Sequence, residues 1–131
     1  KLKSANTPKI SATCIRVPVA DGHMASVELK LKKKISWKKF IDAINNYKNP
    51  IAKLKLPSAP KQFIRYFKEE DRPQTRLDRD FEHGMGITVG RLRRNGNSGW
   101  KFVALSHNTI RGAAGGAILL AELLKEKGYI E

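Results

Sequence analysis

The stretch Ser11-Ala12-Thr13-Cys14-Ile15-Arg16-Val17-Pro18-Val19-Ala20-Asp21-Gly22-His23 runs directly into Met24-Ala-Ser-Val-Glu-Leu-Lys-Leu-Lys32, and the reading of this join decides the fold. Side chains on a strand alternate between its two faces. From Met24 the alternation is clean, with Ala25, Val27, Leu29 and Leu31 on one side and Ser26, Glu28, Lys30 and Lys32 on the other, which predicts a half-buried strand. Ile10 to Val19 is rich in β-formers and reads as a second strand. Pro18 lacks a ladder donor and belongs at an edge, a bulge or a strand end, while Asp21-Gly22 is a strong reversal signal. The expectation is a hairpin that pairs the two strands through that turn.

The same join sets Arg16 and His23 seven positions apart. On one unbroken strand an odd separation sends two side chains to opposite faces, whereas a reversal at Asp21-Gly22 returns His23 to the side of Arg16. An Arg that grips a planar anion bidentately, beside a His that titrates near neutral pH, makes half of an active site for an acidic substrate. On these residues alone the plainer reading, two surface side chains flanking a turn, stays open. Cys14 would share a strand face with Arg16. It reads as a quiet buried thiol, with a Cys14–His23 dyad as the less favoured alternative.

Outward from the join, Lys1 to Lys9 is polar and reads as a connecting segment with a break at Thr7-Pro8. Ser36 is a good N-cap, and Trp37, Phe40, Ile41 and Ile44 form the stripe of an amphipathic helix that stops at Asn45-Asn46. That stripe is expected to pack on the sheet, with Trp37 in the core. Leu54 to Pro60 reads as an extended excursion leading to a strand at Gln62 to Phe67. Glu69 to His83 reads as a long charged loop. In it Arg72, Arg76, Arg79, Asp78 and Asp80 form an ion-pair lattice at a subunit contact, reach toward an anionic ligand, or are simply solvated.

Gly86 to Arg94 alternates imperfectly around Gly90, Asn95 to Gly99 is a turn, and Trp100 to Leu105 returns as a strand. The period then turns helical: Ile110, Ala113, Ala114, Ala117, Ala121 and Leu124 make one stripe on a helix running to about Lys127, capped by Gly128. Gly112, Gly115 and Gly116 at its start cost about 1 kcal/mol each against alanine. Such glycines imply close approach by another backbone or a flat ligand.

The chain is one domain's worth, 131 residues with 40% apolar residues. Its single cysteine excludes an internal disulfide framework, and no run approaches a membrane span, so a cytoplasmic location is expected. A net charge of +14 is the usual footprint of a nucleic-acid binder, and that rival class is kept in view. However, Lys30, Lys32, Lys33, Lys34, Lys38 and Lys39 read as a solvated face, few aromatics stand where bases stack, and nucleic acid is not the favoured partner. No metal site is expected.

Cys14-Ile-Arg-Val-Pro-Val-Ala-Asp-Gly-His23 resembles the substrate-pocket segment of aspartate-semialdehyde dehydrogenases of the archaeal and fungal branch. Asp71-Arg-Pro-Gln-Thr-Arg-Leu-Asp-Arg-Asp80, Gly84-Met-Gly-Ile-Thr-Val-Gly-Arg-Leu-Arg93 and Ser106-His-Asn-Thr-Ile-Arg-Gly-Ala-Ala-Gly-Gly116 are similar to the same family, in the same order. The resemblance implies an α+β domain spanning residues 1–131: a mixed, largely antiparallel sheet, one amphipathic helix packed on it, and a long returning helix over 107–127 that docks on a Rossmann domain missing from this chain. It implies a substrate-binding and dimerisation role within an NADP-dependent enzyme of lysine, threonine and methionine biosynthesis.

That family reduces β-aspartyl phosphate to the semialdehyde through a thioester on a cysteine upstream of these residues. Carried over, Arg16 holds the substrate carboxylate, His23 is the general acid/base, and Asn108 approaches the nicotinamide carboxamide. Implied partners are an own or separately encoded Rossmann domain, an acidic substrate, phosphate and a second copy of the chain. The 131 residues alone are expected to be inactive. Malonyl-CoA reductases resemble the chain too, through Leu56-Pro-Ser-Ala-Pro60, Ile110-Arg-Gly-Ala-Ala-Gly-Gly116 and Glu126-Lys-Gly-Tyr-Ile-Glu131.

Overall fold

The alternation that begins at Met24 does make a strand, β1 (His23–Lys30), but its partner is not the stretch before it. The computed structural model describes residues 8–131, so most of the connecting segment expected over residues 1–9 lies outside the described residues. β1 pairs antiparallel with β4 (Gly99–Ser106), from His23 opposite Ser106 to Lys30 opposite Gly99. β4 pairs antiparallel on its other side with β3 (Ile87–Asn95), and β3 takes β2 (Ile64–Tyr66) in parallel. The strand order β1-β4-β3-β2 is the mixed, largely antiparallel sheet of an α+β domain, as expected.

Ile10 to Val19, expected as a strand, forms none and lies exposed. β-formers give a strand only where a neighbour satisfies their N–H and C=O groups. β1, the partner expected for them, pairs with β4 along one edge and leaves its outer edge unpaired among the described residues, and the segment does not fold back onto that edge, where Pro18 has no N–H to offer. Between them Val19 N–H turns back to the Val17 carbonyl at 2.9 Å. The hairpin through Asp21-Gly22 is therefore replaced by a turn that feeds a long-range ladder.

Directly opposed residues share a face, so Ala25, Val27 and Leu29 lie on the face of Ala104, Phe102 and Trp100. Helix α1 (Trp37–Asn45) covers part of that face, its N-terminus capped by the Ser36 hydroxyl, which accepts from Lys39 N–H at 3.2 Å. Phe40 packs on Trp100 with ring centroids 5.0 Å apart, and Tyr66, Val89 and Leu92 complete this core. Burying a side chain of this size is worth about 1.5–3 kcal/mol, which is why the stripe holds the helix to the sheet. Trp37, expected in the core, stays 44% exposed at its rim.

The opposite face explains two further departures. The segment expected as a structureless charged loop carries a short helical turn, α2 (Thr75–Asp78), and packs on this face. A Cβ placed on Gly90 would run into the Arg72 carbonyl, and one on Gly22 would sit 3.2 Å from Thr75 Cγ2. Gly90 is thus the point where the 69–83 segment lies flat on β3. The imperfect alternation around it has the same origin, a register break against β4 between Gly90 and Arg93 that leaves Arg91 at φ +54. Gly90→Val should cost about 1–3 kcal/mol by overpacking, read as a lower denaturant midpoint at an unchanged m value.

A second cluster joins Leu56, Met85 and Leu119. A 3-10 helix, Pro50–Leu54, leads into the excursion expected over Leu54 to Pro60, which is not simply extended: Ala59 N–H turns back to the Leu56 carbonyl at 3.0 Å, and Leu56 is buried in the core. The C-terminal helix opens as a π-helical turn, Ile110–Ala114, and continues as α3 (Gly115–Glu126), with Gly128 at φ +72 ending it. Its expected stripe is divided, since Ile110 packs inward while Ala113, Ala114, Ala117 and Ala121 are exposed. The inward positions are Leu119 and Leu123. Ser58 fastens the helix, its N–H and hydroxyl donating to the two Glu122 oxygens at 3.0 and 2.6 Å. One helix-start glycine has its neighbour within the chain, because a Cβ on Gly115 would lie 2.6 Å from Met85 Sδ.

Candidate active site

The end of the sheet where β1 begins and β4 stops gathers the chemistry. Gly22, buried and at φ +105, makes the turn into β1; a Cβ there would meet Leu105 Cδ1 at 3.1 Å. Its N–H donates to Asn108 Oδ1 at 2.7 Å, a contact between residues 86 positions apart. Thr109 Oγ1 lies 3.5 Å from Asp21 Oδ1, so the chain leaving β4 touches the turn twice. His23 is the first residue of β1, exposed, beside Ser106 across the ladder. The structure therefore brings the turn bearing His23 together with Asn108.

Arg16 stands in the exposed approach to that turn, and among the described residues no hydrogen bond or ion pair joins it to His23. Cys14, read as a buried thiol, is exposed on the same approach. It lacks a core to enter because its segment has no sheet partner.

The hydrogen bond to Gly22 fixes the Asn108 amide. Only the carbonyl oxygen can accept from an N–H, so Oδ1 faces the turn and the Nδ2 donors are left for another acceptor. Its neighbour His107, which sequence reasoning did not single out, is buried. Ile110 N–H donates to His107 Nδ1 at 3.3 Å, which makes Nδ1 an acceptor and leaves the ring proton on Nε2, 3.6 Å from Asp80 Oδ1. His107 ties the start of the C-terminal helix to the 69–83 segment. The Ile110 contact is local, but the approach to Asp80 is made only through the fold, so nothing in the sequence marks this tie.

Asp78 anchors that segment. It is 3% exposed and takes a bidentate grip from Arg72, with Nε to Oδ2 at 2.7 Å, while Gln74 N–H donates to Oδ2 at 2.7 Å. Burial pushes its carboxyl up, but the Arg72 hydrogen bonds, the Gln74 N–H and the charges of Arg72 and Arg65 outweigh it and hold the group below its ordinary value. Arg111, at the start of the returning helix, donates to the Met85 carbonyl at 3.1 Å and stacks over Phe63 at 4.3 Å; burial lowers its pKa. Arg79 lies 3.6 Å from Asp80, so part of the expected ion-pair lattice forms within one chain. Among the described residues no group of three or more His, Cys, Asp or Glu is placed to hold a metal ion. No helix among them is long and apolar enough to cross a membrane.

An α+β sheet domain with a histidine turn latched to the exit of its last strand defines a class, and comparison with known proteins identifies it. Residues 1–111 match the family described as semialdehyde dehydrogenase, dimerisation domain, and the chain belongs to that family. Among its relatives, the aspartate-semialdehyde dehydrogenase of Archaeoglobus fulgidus is 48% identical over 91% of this chain and 34% of its own length. The crystal structure of aspartate semialdehyde dehydrogenase with NADP from Candida albicans has a TM-score of 0.77 at 43% identity, covering 88% of this chain and 33% of that one. A malonyl-CoA reductase (NADP) from Metallosphaera sedula is 38% identical over 96% of this chain and 36% of its own length. The chain thus spans about a third of the length of the curated relatives it matches.

Proposed function

We propose that these residues are the substrate-binding and dimerisation part of an NADP-dependent aspartate-semialdehyde dehydrogenase, which reductively dephosphorylates β-aspartyl phosphate. The observation that supports this reading is the Gly22 N–H bond to Asn108 Oδ1, which joins the turn just before His23 to the segment leaving β4. Arg16 is assigned to the substrate carboxylate, whose two oxygens its planar fork matches. His23 takes the proton from the attacking thiol supplied by the rest of the enzyme and manages the proton of the thiohemiacetal oxygen. Asn108 offers its Nδ2 donors to the nicotinamide carboxamide oxygen. NADP, when bound, exchanges hydride with the substrate carbon, and the residues named here bind, orient and move protons around it.

Two uncovered surfaces support the rest of the assembly. An open apolar groove of about 380 Å³ between β1 and α1, lined by Leu29, Leu31, Phe40, Ile44, Phe63 and Ile64, is assigned to a second copy of the chain. The exposed alanines of the C-terminal helix, with Ile118 and Leu120 each 55% exposed, form the face assigned to a nucleotide-binding domain. Small side chains there let a second backbone come close.

The test is the rate of phosphate-dependent NADP reduction by the complete enzyme on aspartate semialdehyde, compared with NADPH oxidation on malonyl-CoA. The Metallosphaera relative makes malonyl-CoA reductase the second reading, and a preference for malonyl-CoA would establish it. Arg16→Lys should lower kcat/KM for aspartate semialdehyde by about tenfold or more, because an ammonium replaces the bidentate fork. An unchanged specificity constant would remove Arg16 from the substrate site.

A further inference from the structure

We infer that Asn108 is a positioning residue for His23, in addition to facing the cofactor; the inference rests on the reading of His23 as the acid/base group. His23 stands at a boundary. After it, β1 is held residue by residue against β4; before it, residues 8–20 have no ladder at all. No side-chain hydrogen bond among the described residues holds the exposed imidazole, so its place is set by its backbone. The last long-range backbone tether before that free stretch is the Gly22 N–H bond to Asn108 Oδ1.

The tether is built to be specific. Gly22 is buried, at φ +105, and a Cβ there would meet Leu105 and Thr75, so its N–H is largely turned from water and relies on the Asn108 oxygen. The 3.5 Å approach of Thr109 Oγ1 to Asp21 Oδ1 braces the same turn from the next residue. With Oδ1 committed inward, Asn108 presents only donors outward, so the group it meets must be a hydrogen-bond acceptor, as an amide carbonyl is. An acceptor that engages Nδ2 also fixes the rotamer whose oxygen holds Gly22. Occupancy of the cofactor site and the placement of His23 are therefore linked through one side chain.

The experiment compares Asn108→Ala and Asn108→Asp in the complete enzyme, reading steady-state kinetics and backbone amide exchange. Asn108→Ala should speed exchange at Gly22 and His23 about tenfold, the scale of one lost hydrogen bond, and lower kcat by a similar factor. The amides of Val103 and Leu105 in β4 should stay protected, which separates loss of the tether from unfolding. Asn108→Asp keeps the acceptor and loses the donors, so it should restore slow exchange at Gly22 while raising the KM for NADP. In the unmodified enzyme, saturating NADP should slow Gly22 exchange further.

Unchanged Gly22 exchange in Asn108→Ala, with only the KM for NADP altered, would overturn the inference. So would an Asn108→Asp variant in which Gly22 exchanges as fast as in Asn108→Ala, because the acceptor is then not what holds the turn. The underlying reading fails separately: if His23→Ala leaves kcat intact, His23 is not the acid/base, whatever Gly22 exchange reports about the tether.

Discussion

Replacing His23 by alanine in the complete enzyme should lower kcat by about two orders of magnitude or more, the usual contribution of a positioned general acid/base. The fold should survive, because the imidazole is exposed and buries nothing. Initial rates with aspartate semialdehyde, phosphate and NADP provide the measurement. The expected signature is a fall in kcat and kcat/KM together, since the proton is transferred only as the transition state is reached. A rise in KM at constant kcat would instead make His23 a binding residue, and an unchanged rate would remove it from the mechanism.

The largest effect expected on stability is at Asp78. Asp78→Ala removes the acceptor of the bidentate Arg72 grip and orphans the Gln74 N–H, at a cost of about 3 kcal/mol. The cost should depend on pH, with a definite sign. The folded-state pKa of Asp78 is depressed, so its contribution is fully present above the ordinary aspartate value of about 3.9 and is lost as pH falls through the lower folded-state value. Denaturant midpoints of the two proteins should therefore stay apart between about pH 5 and 7 and converge in strong acid. A gap that widens on acidification would show that Asp78 is not held ionised by its partners. Because Thr75, in the same helical turn, packs against Gly22, loosening this anchor should also reach the turn that carries His23.

Much of this protein is legible locally. The Ser36 cap and the Phe40 stripe define α1, the Asn95 to Gly99 turn joins β3 and β4, and the alternation after Met24 marks β1, although the strand expected to be half-buried is exposed except at Val27 because α1 covers only part of its face. What failed was pairing. Asp21-Gly22 reads as a hairpin because reversals usually join neighbours, yet β1 pairs with a strand about seventy positions on. The charged segment 69–83 failed for a related reason. Its Arg72 and Asp78 read as a subunit lattice, a ligand contact or solvated side chains until they are seen to pair with each other against the sheet, at the glycine that admits them.

By itself the sequence determined which residue types were available to the site: an arginine, a histidine and an asparagine in segments similar to those of one enzyme family. It also determined most of the elements, because strand and helix periods are properties of consecutive residues, while the class of fold was carried by the resemblance to that family. Only the tertiary structure decided that Asn108 meets the turn before His23 and that Oδ1 is the atom it spends there. It also decided that the alanine face of the last helix points outward. The physical reason is that a backbone N–H records no preference for its acceptor; which carbonyl reaches it depends on long-range packing that no window of neighbouring residues contains.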